Sequence, residues 1–182
     1  TIMFTNNFSF RGFRKKRKSK KIQNSLIALT HSSDQVIRSL TNDYDYSYTK
    51  KFVKELRKFK SIRVFGMGGS SLGAHAIYDF LRGKVKNDFF FISNLRSKKF
   101  FPKKKYLNLI ISKSGNTLET IVNSNAYTNK NDKNILITEN KKSILKNISH
   151  KLKDEIIDHN NFIGGRYSVL SEVGMLPAEL MG

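Results

Sequence analysis

The stretch FGMGGSSLGAHA, Phe65 to Ala76, sets four glycines and two serines between a short apolar run and an amphipathic one. IRVFG (Ile62–Gly66) reads as a short buried strand and Leu72 to Leu81 as a helix. Glycine lets a backbone approach an anion closely, and amides at a helix N-terminus point toward negative charge. GMGGSSLG (Gly66–Gly73) is therefore a candidate anion-binding turn, with Ser70 and Ser71 adding hydroxyl donors. It is not a dinucleotide turn, because Ser71 occupies the third slot of G-x-G-x-x-G. It also lacks the Gly-Lys-Ser/Thr ending of a P-loop. The plain alternative is a tight turn whose glycines serve packing alone.

Working outward, the same alternation repeats. Asp88–Ile92 (DFFFI), Leu107–Ser112 (LNLIIS), Asn134–Thr138 (NILIT) and Glu155–His159 (EIIDH) read as strands. Thr117–Tyr127 and Lys142–Leu152 read as helices, and Ser168–Met181 as a closing helix interrupted at Gly174 and Pro177. Upstream, Tyr48–Phe59 places Phe52, Val53, Leu56 and Phe59 on one helical face, while Leu26, Ile27, Val36, Ile37 and Leu40 follow broken helical spacing. Short, nearly continuous apolar strands separated by helices predict a parallel sheet of about five strands with helices on both faces, a three-layer α/β sandwich. Ligands of such sheets sit beyond the carboxyl ends of the strands, where Gly66 and Ser112 fall.

SKSGNTLET (Ser112–Thr120) again runs from strand to helix. Ser112, Ser114, Thr117 and Thr120 supply hydroxyls and Lys113 supplies charge. Asn116 or Thr117 can cap the helix, and Asn116 with Glu119 has capping-box spacing. One cap does not need three hydroxyls, whereas a small phosphate wants many donors. GGRYS (Gly164–Ser168) sets Arg166 after two glycines. A guanidinium there can stabilise negative charge developing on oxygen; the alternative is a surface arginine paired with an acid such as Glu172.

The chain of 182 residues has no cysteine, which excludes disulfides and thiolate metal sites. No apolar run reaches the length of a membrane helix, and the start lacks a signal-peptide pattern, so a cytoplasmic protein without a membrane partner is expected. The net charge of +20 invites a nucleic-acid reading, with the basic block RGFRKKRKSKK (Arg11–Lys21) as its focus. Lysine outnumbers arginine, and asparagine and isoleucine are frequent. That bias fits an AT-rich coding sequence with lysine on solvated faces, so a nucleic-acid partner is not expected.

GMGGSSLG, ISKSGNTLET and GGRYSVLSEVG, in this order, resemble the signatures of phosphoglucose isomerases, which interconvert glucose 6-phosphate and fructose 6-phosphate. The resemblance covers roughly Ile62 to Gly182. It implies a flavodoxin-like sugar-isomerase domain over residues 61–182, preceded by a basic arm and helices over 1–60, with the second such domain absent from this chain. It also implies that Ser112, Lys113, Ser114, Thr117 and Thr120 cradle the substrate phosphate. Gly69 and Ser70 would line the sugar, Gly165 would lie by the reacting carbons, and Arg166 would stabilise the enediolate. The family's base is a glutamate, and a histidine and a lysine open the ring; all three fall beyond this chain. Neither Glu119, Glu172 nor His75 stands in those motifs. The expected partner is a hexose 6-phosphate, with no cofactor and no metal, and a homodimer for the full-length protein; the fragment alone should not isomerise. Asn116 stands where many relatives carry threonine. A non-catalytic sugar-phosphate sensor is the competing reading.

Overall fold

The computed structural model describes residues 19–41, 44–95 and 100–182. The basic block Arg11–Lys21 lies outside them as far as residue 18. The chain divides into two units, Thr1–Ser33 and Asp34–Gly182. In the first, α1 (Lys20–Thr30) is capped by Ser19, whose hydroxyl accepts from the Ile22 amide at 3.4 Å.

The second unit holds the sheet. Its elements are α2 (Gln35–Arg38), α3 (Lys50–Leu56), β1 (Ser61–Phe65), α4 (Gly69–Leu81), β2 (Asp88–Ile92), β3 (Leu107–Ile111), α5 (Leu118–Tyr127), β4 (Lys133–Thr138), α6 (Ile144–Leu152), β5 (Glu155–Asp158), a 3-10 turn (Gly165–Leu170) and α7 (Glu172–Met181). All five strands are parallel, in the order β2-β1-β3-β4-β5. Helix α3 packs on the sheet, with Val53 and Leu56 buried in its core.

The two strand faces bury different chemistry. On one, Ile62, Val64, Leu107, Leu109, Ile135 and Ile137 pack with Val53 and Leu56 of α3 and Val173, Leu176 and Leu180 of α7. On the other, Phe65, Ile110 and Leu136 pack with Tyr127 of α5 and Leu145 of α6. Burial on both faces is why the strands read as continuous apolar runs.

One break in that pattern is polar. Arg63, Asn108 and Asn134 sit side by side in register on β1, β3 and β4. Arg63 Nε donates to Asn108 Oδ1 (2.8 Å), Asn108 Nδ2 to Asn134 Oδ1 (2.7 Å), and Asn134 Nδ2 to Asp154 Oδ1 (3.2 Å). The buried guanidinium also pairs with Asp132 and lies 4.1 Å over the Tyr106 ring. A buried charge persists only when paired and hydrogen-bonded, and here both conditions hold.

The closing helix differs from expectation. The break falls at Ser171, between the 3-10 turn and α7, and the helix continues through Gly174 and Pro177. Gly174 is there because a Cβ would come within 2.1 Å of the Val169 carbonyl. Burial of Val173, Leu176 and Leu180 outweighs the amide that Pro177 lacks.

Candidate functional site

Helix α4 begins at Gly69, three residues before the periodic apolar pattern, so Gly69, Ser70 and Ser71 form its first turn. Gly68 makes the entry with φ +54, a conformation that favours glycine. The Gly66 amide still bonds to the Ile92 carbonyl of β2 (3.3 Å), which holds the turn against the sheet edge.

The second turn leaves β3, the strand beside β1. Ser112 and Thr117 hydroxyls meet at 3.0 Å, and the Gly115 amide donates to Ser112 Oγ at 3.1 Å. Ser114 Oγ accepts from the Asn116 amide at 3.2 Å. Thr117 is the N-cap of α5 by position, yet its hydroxyl makes no cap bond, which leaves it with Ser112. The Thr120 hydroxyl is buried and has no hydrogen-bond partner among the described residues. A buried hydroxyl without a partner costs free energy unless a ligand or water satisfies it. The Ser112 and Thr117 hydroxyls thus meet at the start of α5, with the Ser114 and Thr120 hydroxyls on the same segment.

Asn116 does not form a capping box with Glu119. Its Oδ1 accepts from the Ile144 amide at 2.9 Å, capping the neighbouring helix α6. The Leu145 amide donates to the Gly115 carbonyl (3.0 Å), and Gly115, at φ +65, would place a Cβ 2.1 Å from Ser143 Oγ. The turn is therefore clamped against the start of α6. Spacing alone favours the local cap; only the tertiary neighbour overrides it.

The third turn, after β5, crosses back to the first. A Cβ on Gly69 would lie 2.0 Å from the Gly165 carbonyl, and one on Gly73 2.6 Å from Val169. Ser168 Oγ lies 2.7 Å from the Gly165 carbonyl and 3.3 Å from that of Gly69, joining both turns. Lys113 joins the second turn to the approach of the third, donating to the Asn161 carbonyl at 2.7 Å and pairing with Glu139 at 3.2 Å. Asn161, Glu139 and Ser143 carry no motif in the sequence, and Ser143 caps α6 through the Lys146 amide. Beside Gly69, Gly165 and Arg166 lies an open, mainly apolar cleft of about 760 Å³, also lined by Leu72, Gly73 and Val169. It shares no lining residue with the hydroxyl cluster.

Arg166 is exposed and makes no ion pair among the described residues, so its pairing with Glu172 does not occur. Glu172 is instead fully buried. Tyr44 donates to both its oxygens (3.0 and 2.9 Å), and the Ser47 amide to Oε1 at 3.1 Å. Burial alone would raise its pKa. The neighbouring His159, 3.8 Å away, its own amide, Ser47 and Tyr44 together outweigh burial and hold the carboxyl below the ordinary range. Burial, with the Glu172 carboxylate adding to it, pushes the Tyr44 phenol well above its ordinary value. His75 stacks on Phe91 at 4.4 Å between centroids, and its Nε2 lies 3.6 Å from Asp79.

A parallel α/β sandwich with a hydroxyl-lined turn and a Gly-Gly-Arg turn at the carboxyl edge belongs to the class of open α/β domains that bind their ligand beyond the strand ends. The sequence matches the profile of the family described as phosphoglucose isomerase over residues 15–182, and the chain belongs to that family. It is 31% identical over 165 residues to the glucose-6-phosphate isomerase of Mycoplasma genitalium, covering 77% of this chain and 38% of that protein. It is 34% identical over 152 residues to that of Methanocaldococcus jannaschii, covering 76% and 37%. Among solved structures, the glucose-6-phosphate isomerase of Chlamydia trachomatis superposes with a TM-score of 0.56 at 29% identity, covering 72% of this chain and 28% of that one. The chain thus spans well under half the length of these relatives.

Proposed function

We propose that this chain supplies the phosphate-binding half of an enzyme that interconverts glucose 6-phosphate and fructose 6-phosphate. The observation that carries the reading is the convergence of three separate turns at one sheet edge. Ser112, Ser114, Thr117 and Thr120 offer hydroxyls to the phosphate, with the amides of the first turn of α5 behind them. Lys113 adds positive charge from its tethered position. Gly69, Ser70 and Gly165 form the sugar-side wall, where the absence of a Cβ on Gly69 permits the two turns to touch.

Isomerisation moves a proton between C1 and C2 and passes through an enediolate. Arg166, exposed and unpaired by any carboxylate among the described residues, is the group we assign to stabilise that charge. Glu172 is sealed and committed to Tyr44 and Ser47, so it is no candidate for the base. The base, and the histidine and lysine that open the ring, are assigned to the portion of the relatives that this chain does not span. The full-length protein is read as a cytoplasmic homodimer with no cofactor.

The test is an assay of the full-length gene product with fructose 6-phosphate. Turnover is expected, and Arg166→Ala should lower kcat with little change in substrate affinity. A folded full-length protein without turnover would sink the proposal. Residues 1–182 alone should bind the sugar phosphate without converting it.

A further inference from the structure

The edge of the sheet opposite the hydroxyl cluster carries a second feature, which the isomerase reading does not use. Three adjoining clefts of about 440, 900 and 480 Å³ run across the segments that enter β3, β4 and β5. The first and second share Lys103, Lys104 and Asn129; the second and third share Asn129, Lys130 and Asp132. They form one groove, walled by Lys103, Lys104, Lys105, Lys130, Lys133 and Lys153.

Its acids are largely committed. Asp132 pairs with Arg63 and accepts from the Tyr106 and Asn129 amides. Asp154 accepts from Asn134. Outside the groove, Asp88 takes Lys104 and Glu155 takes Lys133. Lys103, Lys130 and Lys153 have no ion pair among the described residues. Phe100 stands at one end of the groove, 93% exposed. Asn131 and Asn129 line its course, the Asn129 Nδ2 donating to the Tyr127 carbonyl (3.4 Å), whereas Asn134 at its wall is committed to Asn108 and Asp154.

We propose that this groove binds a single-stranded nucleic acid, with the lysines along the phosphodiester backbone and Phe100 stacking on a base. Basic residues tracking a backbone beside an aromatic platform are the two components of sequence-tolerant strand binding. Side-chain amides can bond to base edges, which a lipid headgroup does not offer. A concave course also suits a strand better than a membrane surface. Composition explains how many lysines there are; it does not explain their alignment along one groove with an exposed ring at its end.

The experiment uses the full chain and a fluorescent oligouridylate, followed by anisotropy across a salt series. The triple variant Lys103→Glu/Lys105→Glu/Lys130→Glu is compared with Lys50→Glu/Lys51→Glu/Lys54→Glu, an equal charge change on exposed positions of α3. The groove variant should lose at least about tenfold in affinity, and its logarithmic salt slope should flatten by about 2, three contacts at roughly 0.7 each. The α3 variant should keep most of its affinity and its slope. Phe100→Ala should weaken binding about fivefold or more without changing the slope. Equal losses in both triple variants would overturn the proposal, since the attraction would then belong to total charge. Indifference to Phe100→Ala, or binding to phosphatidylserine vesicles in preference to the oligonucleotide, would overturn it too. Circular dichroism of each variant separates loss of binding from loss of fold, and unfolding of the groove variant would pass the decision to Phe100→Ala.

Discussion

At the residue scale, the most informative side chain is Thr120. Its hydroxyl is buried without a hydrogen-bond partner among the described residues, and it lies on the first turn of the helix that the hydroxyl cluster introduces. Thr120→Val keeps the shape and removes the unsatisfied group. The unliganded variant should therefore melt at a higher temperature, by the equivalent of about 1 kcal/mol, while its affinity for fructose 6-phosphate falls. Calorimetry with and without the sugar phosphate checks both signs, and a drop in unliganded stability would remove Thr120 from the cradle. Gly69 makes the opposite case. A methyl group there meets the Gly165 carbonyl at 2.0 Å, a backbone atom that cannot swing aside. Gly69→Ala should part the first and third turns and cost about 1–3 kcal/mol, as overpacking does, whereas Gly83→Ala, which meets nothing within 4 Å, should be tolerated.

At the scale of elements, two side chains fasten neighbours. Asn116 caps α6 across the gap from α5, so Asn116→Ala should cost about 1 kcal/mol, as loss of a cap does; urea denaturation measures it. Glu172 fastens the segment Tyr44–Tyr48 to α7, with Tyr48 adding a bond to Glu179 at 3.0 Å. Its pKa is depressed in the fold, so its stabilisation is complete above the ordinary glutamate range and vanishes as pH falls through the folded value. Melting temperature should therefore fall on acidification below about pH 5, and Glu172→Gln should flatten that fall. The strands, the helices on both faces and the three turns are legible in the sequence because glycine placement and apolar runs are local signals. The capping role of Asn116, the tether from Lys113 to Asn161 and the sealing of Glu172 are not. Each joins residues tens of positions apart, and no periodicity encodes a partner at that distance. The Arg63–Asn108–Asn134 row is hidden likewise, because polar residues inside apolar strands are read from sequence as noise until the register aligns them.

At the scale of the whole unit, that row is a single electrostatic assembly across three strands. Arg63→Met would leave Asp132 buried beside no cation and should cost about 3–5 kcal/mol, read by urea denaturation. The topology has a further consequence, for the order in which the protein becomes competent. The contact between Ser168 and the Gly69 carbonyl spans 99 positions, and the turn after β5 must return over β4 and β3 to reach β1. Ribosomes add about 5–20 residues per second, so the first turn emerges several seconds before the segment that completes it. Under the proposed function, capture of a sugar phosphate would wait until the turn that carries Ser168 has emerged to meet Gly69. A growing chain stopped before Gly164 would hold the hydroxyl cluster but neither the arginine turn nor α7, and its retention on the ribosome should be indifferent to added sugar phosphate.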